Sequence, residues 1–239
     1  MLIEAENVTV HHSQTAAAQP ALAGVSLRLD ENRIGIIGAN GSGKSTFLRL
    51  LNGLLVPTTG TVRVDGLDTS KQARDIRRRV GFLFTDPDAQ IIMPTVVEDV
   101  AFGLRKSALP EQEKRDRVTA ALRRFGLTGL GDHPAHLLSG GQKQLLALAS
   151  VLVTEPRLLV MDEPTTLLDL RNAAMISRVV AGLDQQVVLA THQLELLTGF
   201  DRVVLFHDGA VRADGAPGEV VDAYRELMAS EPLEPGASQ

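Results

Sequence analysis

Apolar residues in this chain gather in short dense runs, and between the runs they recur at helical spacing. Runs of β-branched and other apolar residues bounded by turn signals predict strands at 34–37, 80–84, 158–161, 187–190 and 203–206. Helical patterns lie between these runs, the alternation that builds a mostly parallel α/β sheet. The middle differs: from about 94 to 138 the pattern predicts helix and no convincing strand. There Pro110 and Glu111 open a helix with acids in its first turn, where the helix dipole favours them. This stretch reads as a helical subdomain inserted into an α/β core. A last helix is predicted near 217–228, and the Pro-, Gly- and Ser-bearing tail at 230–239 is expected to fray. No linker or repeat divides the chain, so one domain is expected over 1–229, with its core at about 1–84 and 147–229 and the helical subdomain at about 85–146.

Composition narrows the function classes. The 239 residues carry a formal net charge of −5 and only 3% aromatics, with no Trp and the single Tyr224. Neither a basic face nor stacking rings are on offer, so no nucleic-acid partner is expected. The absence of Cys excludes a disulfide framework, a thiolate metal cluster and a thiol nucleophile. The longest strongly apolar stretch, 145–153, is about half of the roughly 20 residues a membrane span needs. The N-terminus lacks a signal layout, so any membrane role is expected to come through a partner.

Three segments carry chemistry. Gly38-Ala39-Asn40-Gly41-Ser42-Gly43-Lys44-Ser45 matches G-x4-G-K-[ST], follows a predicted strand and opens a helix. Glycines let such a backbone wrap and point its N–H groups at phosphate oxygens, and the helix N-terminus adds a favourable dipole. Lys44 is placed to reach the β and γ phosphates, and the Ser45 hydroxyl to ligate Mg²⁺. Downstream, an apolar strand ends in Asp162 and Glu163. Asp162 then belongs near the Mg²⁺ shell, and Glu163 is a candidate general base for an attacking water. The third segment, Leu138-Ser139-Gly140-Gly141-Gln142, precedes a strong helix and forms a second anion-binding N-terminus. One γ phosphate gains from both only if a second copy of the chain supplies the other.

These motifs in this order resemble the ATP-binding-cassette ATPase family over nearly the whole chain. The resemblance implies a P-loop NTPase core with an inserted helical subdomain and an N-terminal antiparallel β part. It implies ATP and Mg²⁺ as ligands, held by Gly38, Asn40, Gly41, Ser42, Gly43, Lys44, Ser45 and Thr46. It implies that Ser139, Gly140, Gly141 and Gln142, together with Asp169, act across a dimer interface on the partner's ATP. Glu163 takes the place of the catalytic base and His192 that of the γ-phosphate-sensing histidine. The other histidines carry less: His11 and His12 point different ways in an extended segment, His133 and His136 lack a third metal ligand, and His207 reads as a surface turn residue.

The chain departs from the family pattern at three places. Thr85 stands at a strand end where the family usually has a Mg²⁺-ligating Gln; its shorter side chain is expected to weaken that contact, with Gln90 nearby as a substitute. His12 stands where an aromatic ring usually stacks on adenine, so modest base discrimination is expected. Gln193 follows His192 where Asp is common.

The segment from Asp86 to Gly103 resembles the ATPases of energy-coupling-factor importers, above all the biotin-module ATPase and next the cobalt and nickel ATPases. That likeness implies a homodimer, or a pair with a related ATPase. It also implies a transmembrane scaffold received in a groove near Gln90, a small substrate-binding membrane protein, and a peripheral place on the cytoplasmic face of a prokaryotic membrane. Two alternatives stay open on the sequence: a soluble ATPase of iron–sulfur cluster assembly with the same fold, and another ABC transporter ATPase. The cargo is not written in these motifs.

Overall fold

In a computed structural model, which describes residues 1–11, 19–166 and 168–230, the dense apolar runs become strands whose alternate residues feed separate cores. The elements in chain order are β1 (Ile3–Val10), β2 (Leu22–Leu29), β3 (Arg33–Ile37), α1 (Lys44–Leu51), β4 (Thr59–Val64), β5 (Leu67–Asp68), α2 (Ala73–Ile76) and β6 (Val80–Leu83). There follow α3 (Val96–Phe102), α4 (Glu111–Arg124), α5 (Gly140–Leu152), β7 (Leu158–Asp162) and α6 (Leu170–Ala181). The described chain ends with β8 (Gln186–Ala190), β9 (Arg202–His207), β10 (Ala210–Gly215) and α7 (Pro217–Ser230).

Two sheets result. The first is antiparallel, in the order β2-β1-β4-β5; the second runs β10-β9-β3-β8-β7-β6 and is parallel apart from β10. Side chains alternate faces along a strand, and the burial follows. Leu158 and Val160 of β7, Val188 and Ala190 of β8, and Val204 and Phe206 of β9 face α1 and the antiparallel sheet. Phe47 of α1 packs on Phe206 there with ring centroids 5.3 Å apart. On the opposite face Leu159 and Met161, with Val187 and Leu189, meet the helical segment and α6. Ile37, Val203 and Leu205 are covered by α7 through Val220. Each Leu-sized side chain so buried contributes about 2 kcal/mol.

The helical segment is built on α3, α4 and α5, with 3-10 turns at Thr128–Leu130 and Ala135–Leu137 and one isolated β-bridge from Thr95 to Pro134. Glu98 reaches back over the start of α3, its Oε2 accepting from both the N–H and the Oγ1 of Thr95. Leu145, Leu146 and Leu148 of α5 share one core with helical-segment residues such as Val118 and with Met161 of the sheet, so α5 joins the two parts. β10 has no counterpart among the predicted strands, because Ala210–Gly215 is half exposed and short of β-formers. His207 is the last residue of β9, paired with Ala210 across the Asp208-Gly209 turn.

Candidate functional site

Parallel strands put their carboxyl ends on one edge, and the order β3-β8-β7-β6 sets four such ends side by side. The phosphate loop leaves β3, His192 follows β8, Glu163 follows β7 and Thr85 follows β6. Glycine is needed where the loop turns. Gly38 has φ 145°, and a Cβ there would lie 2.1 Å from the Phe206 carbonyl oxygen. Gly43, at φ 105°, caps α1, whose first turn holds no acid, so the amide end of this helix is open to an anion.

Lys44 is 4% exposed and bends back over its own loop, donating from Nζ to the carbonyls of Gly38 and Ala39 at 2.8 Å each. Burial pushes its pKa down, while the charges of Glu163 and Asp162 push it back up. A cavity of about 240 Å³ opens above, lined by residues 40–46, Ala21 and Glu163. It therefore gathers Asn40, Gly41, Ser42, Gly43, Lys44, Ser45 and Thr46 around one concave surface.

Ser45 Oγ donates to Asp162 Oδ1 at 2.8 Å. Asp162 is the last residue of β7 and 3% exposed. Burial pushes its pKa above the ordinary carboxylate value, against the Ser45 hydrogen bond and the charges of Arg49 and Lys44. Thr85 Oγ1 donates to the Asp162 carbonyl at 2.7 Å and ties the ends of β6 and β7 together. A serine hydroxyl beside a carboxylate at the phosphate loop is a hard-oxygen donor set suited to Mg²⁺, which takes few protein ligands and completes its shell from phosphate and water. Among the described residues no group of three or more His, Asp or Glu side chains forms an all-protein metal cage.

Glu163 stands at φ 48°, a left-handed conformation that is strained for a residue with a side chain. Its N–H is held by the Ala190 carbonyl at 3.0 Å, and the kink swings its carboxylate off the strand and over the cavity. Oε1 faces Lys44 Nζ at 3.9 Å. Oε2 meets His192 Nδ1 at 3.1 Å and accepts from Thr166 Oγ1 at 2.9 Å. Gln193 accepts from Thr165 Oγ1 at 3.2 Å through its Oε1, which fastens the turn after β7 to the turn after β8. The sequence pattern marks Thr166 only as the start of the loop that leads to Asp169, and it gives no role in this site to Thr165, Ala21 or Gln193. The only signal for a contact of Thr166 with Glu163 was its place three residues on, within reach of a turn.

The remaining candidates lie apart from this cavity. Ser139 caps α5 and exchanges hydrogen bonds with Gln142: its N–H donates to Oε1 at 2.9 Å, and its Oγ accepts from the Gln142 N–H at 3.3 Å. Gly140 has open space around it, and Gly141 is pressed against Asn172 of α6. Asp169 caps α6, accepting from the Asn172 N–H at 2.8 Å, and is exposed. Gln90 is committed to the edge of β6, accepting from the Phe84 N–H and donating to the Phe82 carbonyl, both at 3.2 Å. Asp88, two residues earlier, pairs with Lys143 of α5 at 2.7 Å. His12 lies outside the described residues.

A phosphate loop at the strand ends of a parallel sheet, with a Ser–Asp pair and an acid over it, defines a nucleoside-triphosphate-binding protein. The family described as ABC transporter matches residues 22–166, and the chain belongs to it. It is an ATP-binding, ATP-hydrolysing member. The chain is 48% identical over 229 residues to the biotin transport ATP-binding protein BioM of Rhizobium etli, covering 96% of this chain and 100% of that one. It is similar to the solved structure of cbiO1 from Clostridium perfringens, part of the ABC transporter complex cbiONQ, with a TM-score of 0.80, 34% identity, and 98% and 95% of the two chains covered. The ATP-binding cassette MJ0796, solved as a dimer after hydrolysis with ADP and Pi bound, matches with a TM-score of 0.80 and 29% identity over 90% of this chain and 98% of that one.

Proposed function

We propose that this chain powers uptake of a micronutrient through an energy-coupling-factor-type membrane transporter, with biotin the first candidate cargo and cobalt, nickel or another vitamin next. The observation that carries this reading is the full-length 48% identity to a biotin transport ATP-binding protein. Among the described residues no helix is long and apolar enough to cross a membrane, so transport requires membrane partners. The partners proposed are a transmembrane scaffold and a small substrate-binding membrane protein, with the ATPase peripheral on the cytoplasmic face.

Two copies meet head to tail and enclose two ATP molecules. The loop at 38–46 of one copy holds each triphosphate, and Ser139, Gly140 and Gly141 of the other copy approach its γ phosphate with α5's amide end. Ser45 and Asp162 would hold Mg²⁺, which when bound would supply positive charge against the phosphates. Lys44 leaves the Gly38 and Ala39 carbonyls for phosphate oxygens. Glu163 orients and deprotonates the attacking water, and His192 steadies Glu163. Closure and reopening of the dimer move the segment around Gln90 and Asp88, against which the scaffold docks.

The test is a tagged pull-down from native membranes in mild detergent, with mass spectrometry of what co-purifies. An integral scaffold with a small membrane protein supports the importer reading, and the small protein identifies the cargo. Recovery from the soluble fraction with iron–sulfur assembly proteins would leave the ATPase chemistry standing and overturn the transport reading.

A further inference from the structure

Glu163 carries two oxygens in unequal surroundings. Oε2 is occupied twice, by the Thr166 hydroxyl at 2.9 Å and by His192 Nδ1 at 3.1 Å. Oε1 faces the cavity and Lys44 Nζ at 3.9 Å, beyond hydrogen-bond reach. An oxygen whose lone pairs already accept two hydrogen bonds is a poor acceptor for a third proton. We infer that Thr166 is a positioning residue for hydrolysis: its hydroxyl, with His192, anchors Oε2 and leaves Oε1 as the oxygen that takes the proton from water. This rests on the assignment of Glu163 as general base.

The local chain explains why Thr166 can do this. Glu163 to Thr166 form a tight turn through Pro164, closed by the Thr166 N–H to the Glu163 carbonyl at 3.4 Å. The hydroxyl donor is thus attached to the same turn as the carboxylate it holds, and the pair stays in register when the chain around it moves. Thr165, one residue earlier, is 1% exposed and bonded to Gln193, so the turn is pinned to the loop that carries His192. Without the Thr166 donor Oε2 keeps His192 alone of its two contacts, a side chain half exposed and attached to another strand. Its rotation then places either oxygen toward the water, and a small misplacement of a reacting group is costly in rate.

In the step itself a water oxygen attacks the γ phosphorus of ATP. The bond from that phosphorus to the β-γ bridging oxygen breaks, and its electron pair leaves with ADP. The water proton passes to Glu163 Oε1. Thr166 exchanges no proton; it fixes which oxygen receives one.

The experiment measures steady-state ATPase of the full chain for wild type, Thr166→Val, Thr166→Ser and Glu163→Gln, with thermal melts as a check of folding. Valine keeps the shape and removes the donor; serine keeps the donor. The expected result is a roughly tenfold fall in kcat for Thr166→Val with KM for ATP unchanged, and recovery to within about threefold of wild type in Thr166→Ser, as for loss of one positioning hydrogen bond. Wild-type kcat in Thr166→Val, a parallel rise in KM, or failure of serine to restore turnover would overturn the inference. Glu163→Gln separates the two levels. If that variant hydrolyses at the wild-type rate the base assignment fails, whereas an inactive Glu163→Gln beside a Thr166→Val of wild-type turnover sinks only the role of Thr166.

Discussion

Ser45 and Asp162 lie 117 positions apart, and the Ser45 hydroxyl donates to the Asp162 carboxylate at 2.8 Å. That contact joins the start of α1 to the end of β7, and with them the two motifs proposed to hold ATP and Mg²⁺. It also keeps a buried charge tolerable, because a carboxylate removed from water needs a donor.

The cost of that buried charge gives a first prediction. Burial raises the folded-state pKa of Asp162 above its unfolded value of 3.8, so the native state holds this proton more tightly than the unfolded chain. The penalty is absent below the unfolded value and complete once the pH passes the raised folded value. Asp162→Asn, which removes the charge and keeps an acceptor for Ser45, is expected to stabilise the nucleotide-free protein at pH ~8 by about 1 kcal/mol, or roughly 2–4 °C in Tm. The gain should shrink as the pH is lowered toward the unfolded value. Melts across a pH series without nucleotide measure it, and a lower Tm at pH ~8 would show that the charge is net stabilising.

Two neighbouring glycines separate folding from function. A Cβ on Gly141 would lie 2.2 Å from Asn172 Nδ2 and 2.5 Å from its Cγ, whereas Gly140 has nothing within 4 Å. Gly141→Ala is expected to cost about 1–3 kcal/mol as α5 and Asn172 are forced apart. Asn172→Ala in the same chain should restore most of the lost Tm. Gly140→Ala should melt within about 1 °C of wild type, since its methyl meets open space and alanine favours helix. It should nevertheless lower ATPase activity tenfold or more, because in the proposed dimer that space faces the ATP held by the partner copy. Unchanged turnover in folded Gly140→Ala would place this helix start away from the reacting phosphate.

The sequence made the strands and the phosphate loop legible because their signals are local. A dense apolar run, a Gly-rich turn and an acid pair after a strand are each contained in a few residues. The predicted runs at 34–37, 158–161, 187–190 and 203–206 all fall within β3, β7, β8 and β9. The contacts that organise the site are not local in this way. Ser45 with Asp162, and Gln193 with Thr165, depend on strand order, which periodicity does not state. The contact of Thr166 with Glu163 was invisible for another reason: a hydroxyl in a Pro-containing turn is ordinary in composition, and only the left-handed Glu163 backbone brings the carboxylate onto it. β10 was passed over although Asp208-Gly209 is a hairpin signal, since the strand after it lacks the apolar alternation that predicts strands.

Asp99 is 3% exposed, and its carboxylate ties the chain at 92–93 to α3 and α5. Oδ1 accepts from the N–H groups of Ile92 and Met93 at 2.9 and 3.1 Å, and Oδ2 accepts from Ser150 Oγ of α5 at 2.8 Å. It thereby fixes the segment after Gln90, including the exposed Ile92, against α3 and α5. Asp99→Ala leaves those donors without their acceptor, at about 1–3 kcal/mol for each one that stays buried. The expected loss is about 3 kcal/mol, or roughly 6–12 °C in Tm. Asp99→Asn retains an acceptor for the two amides, and its NH2 can donate to the Ser150 hydroxyl oxygen once that hydroxyl turns, so it should lose less than half as much. Amide hydrogen exchange should quicken at Ile92 and Met93 in Asp99→Ala and stay slow at Asp162, far along the sheet edge. Since this segment is the proposed seat of the membrane scaffold, Asp99→Ala should also recover less scaffold from detergent extracts while still binding ATP. Normal exchange at Ile92 and Met93 in that variant would mean that the segment is held by its other contacts, with Gln90 on β6 and Lys143 on Asp88 sufficient to keep it in place.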